Sequence, residues 1–327
     1  MNPLDPFAPP PQVVTVALNP ALDHTIEVAD LQPGAVNRAL RMQVDVGGKA
    51  INVASCLSDF GVNTAVTGQL GRDNAALFEE LFQRKKIANH CCLLDGLTRI
   101  NTKLVDTQRG ETTDLNMPGP EFTPATAAEL LEQILERLDR LVGQAHWVVL
   151  SGSLPPGMPE EAYATLTRRV QAAGGAVLLD TSGAPLQAAL TAGPQIIKPN
   201  QHELAELLGE PLDTLDALVA AGRGLLDGSH APETIVVSLG GDGALFLTRA
   251  QALHAHPVPM AVTSTVGAGD AMVAGLIAAR LEHRSLAETA QLATAFAAAK
   301  LTRIGPHLPP PAEVRALAQQ IQVTPIA

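Results

Sequence analysis

The sequence predicts an α/β protein in which helices cover a mostly parallel β-sheet and a small second sheet projects from it. Three observations carry this. From Trp147 onward, short apolar runs alternate with helix-spaced segments, which implies right-handed βαβ units. Apolar residues make up 46% of the chain and aromatics only 3%, so the core rests on Ala, Val, Leu and Ile, as suits helices packed on a sheet. Two polar, strand-like regions, about 22–46 and 98–117, break the rhythm and are expected to form a small β-sheet lid.

The elements follow in order. Residues 1–12 (MNPLDPFAPPPQ) are proline-rich and acidic and lack the basic and apolar regions of a secretory signal. The expectation is a disordered tail ahead of one domain spanning 13–327. Val13–Leu18 reads as a buried strand ended by Asn19-Pro20. Thr25 to Val46 is strand-like and interrupted at Pro33-Gly34, Ile51–Phe60 has helical spacing, and Ala65–Leu70 is the next strand. Residues 98–117 alternate polar and apolar around the turn Gln108-Arg109-Gly110, the pattern of a two-stranded ribbon. Further strands are expected at Trp147–Leu150, Ala176–Asp180, Gln195–Lys198, Ile235–Leu239 and Ala244–Leu247. Helices are expected near 125–141, 159–173, 201–208, 213–227, 270–282, 286–300 and 311–320.

Charge and motif content exclude several function classes. A net charge of -11 argues against a nucleic-acid or anionic-membrane partner. No apolar run reaches the roughly 18 residues of a membrane span. Cys56, Cys91 and Cys92 suggest neither a disulfide framework nor a zinc site, and a reducing cytoplasm is the simplest location. There is no G-x-x-x-x-G-K-[ST], H-E-x-x-H or G-x-S-x-G, and Gly267-x-Gly269 is not completed as a dinucleotide fingerprint because Met272 holds the third position.

Ser264–Gly275 reads STVGAGDAMVAG, a glycine turn feeding an apolar helix. Backbone N–H groups at such a helix start favour an anion. Asp270 taken alone is a plausible N-cap. Beside an anion site it has a second use, taking a proton from an attacking hydroxyl while Gly267, Ala268 and Gly269 stabilise a transferring phosphoryl group. Gly47-Gly48-Lys49-Ala50-Ile51-Asn52 sets backbone donors, a cation and an amide at another turn, and Asp23 follows the first strand. Ser153 lies after a strand, at the edge where open α/β sheets bind ligands. Lys198-Pro199-Asn200-Gln201-His202-Glu203 also follows a strand; its Asn200 and Glu203 suit either a capping box or Mg²⁺ held through water. Ser238–Gly243 (SLGGDG) suits nucleotide phosphates or a hairpin turn equally.

In this order the motifs resemble those of the ribokinase-like sugar kinases of the phosphofructokinase-B type. STVGAGDAMVAG and GGKAINVA match the family's C-terminal and N-terminal signatures, and KPNQHE carries its N-x-x-E element. The likeness runs from about Val13 to Thr302. Asn19-Pro20-x-x-Asp23, Lys49, and TRINTKL followed by GETTDLN resemble most the bacterial branch acting on fructose 1-phosphate. One departure is Ala50, where the family has Gly.

The resemblance implies a ribokinase-like three-layer sandwich with a mostly parallel central sheet and a small β-sheet lid. It implies an ATP- and Mg²⁺-dependent phosphotransferase that phosphorylates D-fructose 1-phosphate at the 6-hydroxyl. Asp270 is then the base and Gly267, Ala268 and Gly269 the anion hole. Lys49, Arg99 and Lys103 hold the 1-phosphate, with Asp23, Gly47, Gly48, Asn52 and Ser153 around the sugar. Lys198, Asn200, Ser238, Gly240, Gly243 and Thr294 line ATP, and Asn200 with Glu203 organises the metal. Related enzymes pair through such lids, so a homodimer is implied. The alternatives are tagatose 6-phosphate or fructose 6-phosphate as substrate, or a non-catalytic sugar-phosphate-binding regulator.

Overall fold

The structure is a computed structural model that describes residues 10–143, 145–303 and 305–326. Of the tail expected over 1–12, residues 1–9 lie outside the described residues. Its end is held: the Gln12 N–H donates to the Asn63 carbonyl at 2.8 Å, and Asn63 Nδ2 donates to the Pro10 carbonyl at 2.7 Å.

Strand β1 (Val13–Ala17) leads into two lid strands, β2 (Ala21–Val28) and β3 (Ala39–Gly47), and then into α1 (Lys49–Asp59). β4 (Thr64–Gly71), α2 (Ala75–Lys85) and β5 (Ala88–Leu94) follow, then the lid hairpin β6 (Ile100–Asp106) and β7 (Glu111–Leu115). Next come α3 (Pro124–Val142), β8 (Trp147–Ser151), α4 (Ala162–Ala172), β9 (Ala176–Asp180), α5 (Gly183–Leu190) and the two-residue β10 (Ile196–Ile197). The chain continues through α6 (Gln201–Leu208), α7 (Leu215–Leu226), β11 (Thr234–Ser238), β12 (Ala244–Leu247) and β13 (Ala252–Ala255). It closes with α8 (Ala268–Leu281), α9 (Leu286–Leu301), α10 (Pro311–Ala318) and β14 (Val323–Pro325).

Among the described residues the main sheet has ten strands in the order β14-β13-β12-β11-β10-β9-β8-β1-β4-β5. It is parallel from β11 to β5 and antiparallel from β11 through β14. The mostly parallel sheet expected from the sequence is thus present, with an antiparallel edge. Strand pleat splits its side chains between two faces, with a further cluster of Val66 and Leu70 of β4 against Ile51, Phe78 and Phe82 of α1 and α2. Val148 and Leu150 pack toward α3 and α4, with Leu130, Ile134, Tyr163 and Leu166. Val149, Leu178 and Val236 pack toward α8 and α9, with Val273, Ile277 and Phe296. Residues Ala271–Ala279 of α8 are all buried, so this helix is enclosed rather than amphipathic.

The lid is a separate sheet of four strands in the order β3-β2-β6-β7. β2 pairs with β3 antiparallel and with β6 in parallel, and β6 and β7 form the expected hairpin. Asp106 at its base accepts backbone N–H bonds from Leu31, Gln108 and Arg109, which hold its carboxyl below the usual range and tie the hairpin turn to the end of β2.

Gly68 in β4 has φ +126°, and a β-carbon built there would meet the Ala17 carbonyl oxygen of β1 at 2.1 Å. The two strands approach too closely for any side chain. Gly68→Ala should destabilise the fold by roughly 2–5 kcal/mol, combining backbone strain with overpacking. A urea midpoint unchanged from the parent would contradict this.

Candidate active site

The carboxyl ends of β1, β8, β9, β10 and β11 meet at one edge of the main sheet, where open α/β sheets take their ligands. A buried charge cluster sits there. Asp180, the last residue of β9, is 1% exposed and pairs with Lys198 Nζ at 3.2 Å and Lys49 Nζ at 3.4 Å. Ser151 Oγ, from the end of β8, donates to the same carboxylate at 3.3 Å. Burial alone would push the Asp180 carboxyl up, yet the two lysines hold it below the usual range. Lys49 answers: burial lowers it, but Asp180, Asp270 and Glu203 together raise it above an ordinary lysine.

Asp270 faces this cluster from α8. It is not the N-cap. Gly267, in the left-handed region at φ 79°, occupies that position without a side-chain cap bond, and Asp270 lies in the first turn. Its Oδ2 accepts a 2.8 Å hydrogen bond from Asn52 Nδ2 of α1. Burial, and then the negative charge of Asp180, push its carboxyl up to about 6, against Lys49, the Asn52 bond and Lys198. A carboxylate so placed is ionised at neutral pH yet basic enough to take a proton. Lys198 reaches the same helix start: a β-carbon built on Gly269 would lie 3.7 Å from its Nζ.

Next to this cluster, under the lid, a cavity is lined by Asp23, Asn52, Lys103 and Gly267. Asp23 on β2 pairs with Lys103 on β6 at 3.4 Å and accepts from Asn101 Nδ2 at 3.0 Å. The N-cap of α1 is Gly48, at φ 97°, where a β-carbon would meet Pro20 Cα at 2.9 Å. Gly47 beside it ends β3 within 3 Å of the Asp23 carboxylate by the same construction. Ala50, the family departure, is buried in the cluster around Ile51 and Phe78, so its methyl packs into the core.

Other expected residues are engaged differently. The Arg99 guanidinium spends its donors on three backbone carbonyls, Met117 at 2.6 Å, Asn19 at 2.9 Å and Pro20 at 3.2 Å, bracing the lid against the end of β1. Ser153 accepts from Asn19 Nδ2 at 3.2 Å. Asn200 and Glu203 form the reciprocal capping box of α6, each side chain accepting the other's backbone N–H at 2.8 Å. Ser238 donates its N–H to the Pro199 carbonyl, and Gly240 and Gly243 shape the turn from β11 to β12. Thr294 is buried in α9 and its Oγ1 has no hydrogen-bond partner. Among the described residues no group of three or more His, Cys, Asp or Glu side chains could hold a metal ion. Asn200 and Glu203 offer one amide oxygen and one carboxylate, donors of the kind Mg²⁺ uses when it keeps several waters.

Two site residues escaped sequence reasoning. Asp180 had a signal, a lone carboxylate ending the apolar run AVLLD at the ligand edge of the sheet. Lys300 also lines the cavity, and its signal is a single charge inside the small-residue helix ATAFAAAKL.

A buried carboxylate at a helix start faces two lysines at the ligand edge of a parallel sheet, beside a small second sheet, an arrangement suited to phosphoryl transfer. The chain belongs to the pfkB family of carbohydrate kinases, whose model matches residues 16–313. It is 48% identical to the 1-phosphofructokinase of Xanthomonas campestris pv. campestris, over 89% of this chain and 91% of that one. It is 45% identical to the 1-phosphofructokinase of Rhodobacter capsulatus, over 95% of this chain and 97% of that one. Its fold superposes on Escherichia coli phosphofructokinase-2 in complex with fructose-6-phosphate with a TM-score of 0.86, at 27% identity over 94% of this chain and 98% of that one.

With Asp270 as base, kcat/KM should fall about tenfold per unit as the pH drops below about 6, because the protonated carboxyl cannot accept the hydroxyl proton. Asp270→Asn should lower kcat by roughly 10²–10⁴-fold without unfolding the protein. Near-parental ADP release by this variant, or a rate flat through pH 6, would remove Asp270 from that role.

Proposed function

We propose that this chain transfers the γ-phosphoryl group of ATP to the 6-hydroxyl of D-fructose 1-phosphate, giving D-fructose 1,6-bisphosphate and ADP, as a 1-phosphofructokinase. The observation that carries the chemistry is Asp270, buried, hydrogen-bonded to Asn52 and set beside Lys49 and Lys198. The choice of sugar rests on relatives at 48% and 45% identity that bear that name.

Asp270 accepts the proton of the 6-hydroxyl as its oxygen attacks the γ-phosphorus, and ADP departs with the bridging oxygen. Backbone N–H groups of Gly267, Ala268 and Gly269 take up charge on the transferring group. Asp23, Gly47, Gly48, Asn52 and Ser153 hold the sugar, with Lys49 and Lys103 at its 1-phosphate. Arg99 serves that end of the site by fixing the Asn19-Pro20 turn through its backbone bonds. Lys198, Asn200, Ser238, Gly240 and Gly243 would border the ATP phosphates, and Thr294, whose buried hydroxyl has no hydrogen-bond partner, would border the adenine. Mg²⁺, held through water by Asn200 and Glu203, would neutralise phosphate charge.

The alternative substrates are 6-phosphates, and the solved neighbour in complex with fructose-6-phosphate favours testing that one first. Initial rates on fructose 1-phosphate, fructose 6-phosphate and tagatose 6-phosphate should give the highest kcat/KM for the first. A clear preference for a 6-phosphate would overturn the choice of sugar but leave the kinase intact.

The lid supports a homodimer. Leu40, Met42 and Val44 alternate along its edge strand β3 and are 65%, 60% and 40% exposed, an apolar stripe on an unpaired edge. Three cysteines without disulfides suit a cytoplasmic enzyme, and no described helix is long and apolar enough to cross a membrane. Met42→Glu should convert the dimer to a monomer in sedimentation equilibrium; a parent that is monomeric at micromolar concentration would contradict the pairing.

A further inference from the structure

Lys300, in the last turn of α9, is a buried cation that the transfer scheme leaves without a task. It is 3% exposed, and its Nζ donates to the Arg303 carbonyl at 3.0 Å. Its stem runs beneath the turn that starts the anion hole, since a β-carbon built on Gly267 would lie 3.4 Å from Lys300 Cε. The neighbouring Leu301 carbonyl accepts the N–H groups of Thr263 at 2.7 Å and Ser264 at 3.1 Å. The end of α9 therefore holds the segment 263–267 at its start and supports it from below at its finish. Lys300 shares the sugar cavity with Asn52 and Gly267.

The charged and titratable groups around the ammonium come from every side. Burial lowers its proton affinity below that of an ordinary lysine, against the carboxylates of Asp270 of α8 and Asp45 of β3, which raise it; the Cys56 thiol of α1 also lies near, itself pushed up to about 12 by burial. Asp23 of β2 and Lys103 of β6 line the same cavity. A lysine that merely capped the carboxyl end of α9 would do so equally well from the surface, where its charge stays solvated. Burying it next to the transfer site sets a desolvated positive charge behind an anion hole, where low dielectric strengthens its effect.

We infer that Lys300 is a positioning residue for phosphoryl transfer: its buried ammonium supports the 263–267 segment and sets fixed positive charge behind the Gly267, Ala268 and Gly269 donors. It acts through that loop and does not ligate the sugar phosphate. The inference rests on the kinase function proposed above and holds for whichever sugar phosphate the enzyme uses.

The test compares Lys300→Met, which keeps the stem and removes the charge, with the parent on the sugar phosphate that the parent turns over best. A kcat loss of roughly 10- to 100-fold is expected, with KM for the sugar phosphate changed by less than about threefold. The acidic limb of the kcat profile should move to higher pH, because Asp270 loses a nearby cation. Ethylammonium should restore part of the rate of Lys300→Ala. If Lys300→Met does not fold by circular dichroism, Lys300→Gln, which keeps a donor for the Arg303 carbonyl, carries the same comparison. A folded, uncharged variant with kcat within twofold of the parent overturns the inference. So does a rise in KM at unchanged kcat, which would make Lys300 a substrate ligand. A parent inactive on every sugar phosphate would instead overturn the kinase function, and this inference with it.

Discussion

The site depends on one electrostatic balance: two buried carboxylates, Asp180 and Asp270, held against two lysines, Lys49 and Lys198. Each member alone would be costly to bury. Together they leave Asp180 firmly ionised and Asp270 poised, because Asp180 repels the charge that Asp270 would carry while the lysines attract it. The proposed base is therefore tuned by a residue on β9 whose own carboxylate is occupied by lysines. Asn52 then fixes the orientation of Asp270 from α1.

The fold exists to bring those four residues together. Asp180 and Lys198 arrive at the carboxyl ends of adjacent parallel strands, Lys49 starts α1, and Asp270 starts α8. The enclosure of α8 on all faces gives its first turn a rigid seat. Arg99 does the same for the lid, its three backbone bonds joining the start of β6 to the turn after β1.

Much of this was legible in the sequence because parallel strands are continuous apolar runs and their ends carry glycine and proline. β1, β4, β8, β9 and β11, and helices α3, α6, α8 and α9, stand within a few residues of expectation. β5 was missed because Asn89, His90 and the two cysteines make an edge strand without a clean pattern, and α5 because Gly183 and Pro185 interrupt its helical signal. β10 shrinks to two residues against the expected Gln195–Lys198. At the site, residue types were legible but partners were not. Nothing in TRINTKL says that Arg99 binds carbonyls, and STVGAGDAMVAG does not say that Gly267, rather than Asp270, caps the helix. Those outcomes depend on the 2–3 Å geometry of segments far apart in the chain.

The parallel pairing of β2 with β6 has a consequence for how the molecule is divided. The chain between them builds α1, β4, α2 and β5 of the main body, so no contiguous stretch encodes the lid. It cannot be excised or grafted as one contiguous segment. The small sheet and the main body are thus one inheritable unit, and a shift of the β2–β6 register needs matching changes at two separate places in the gene.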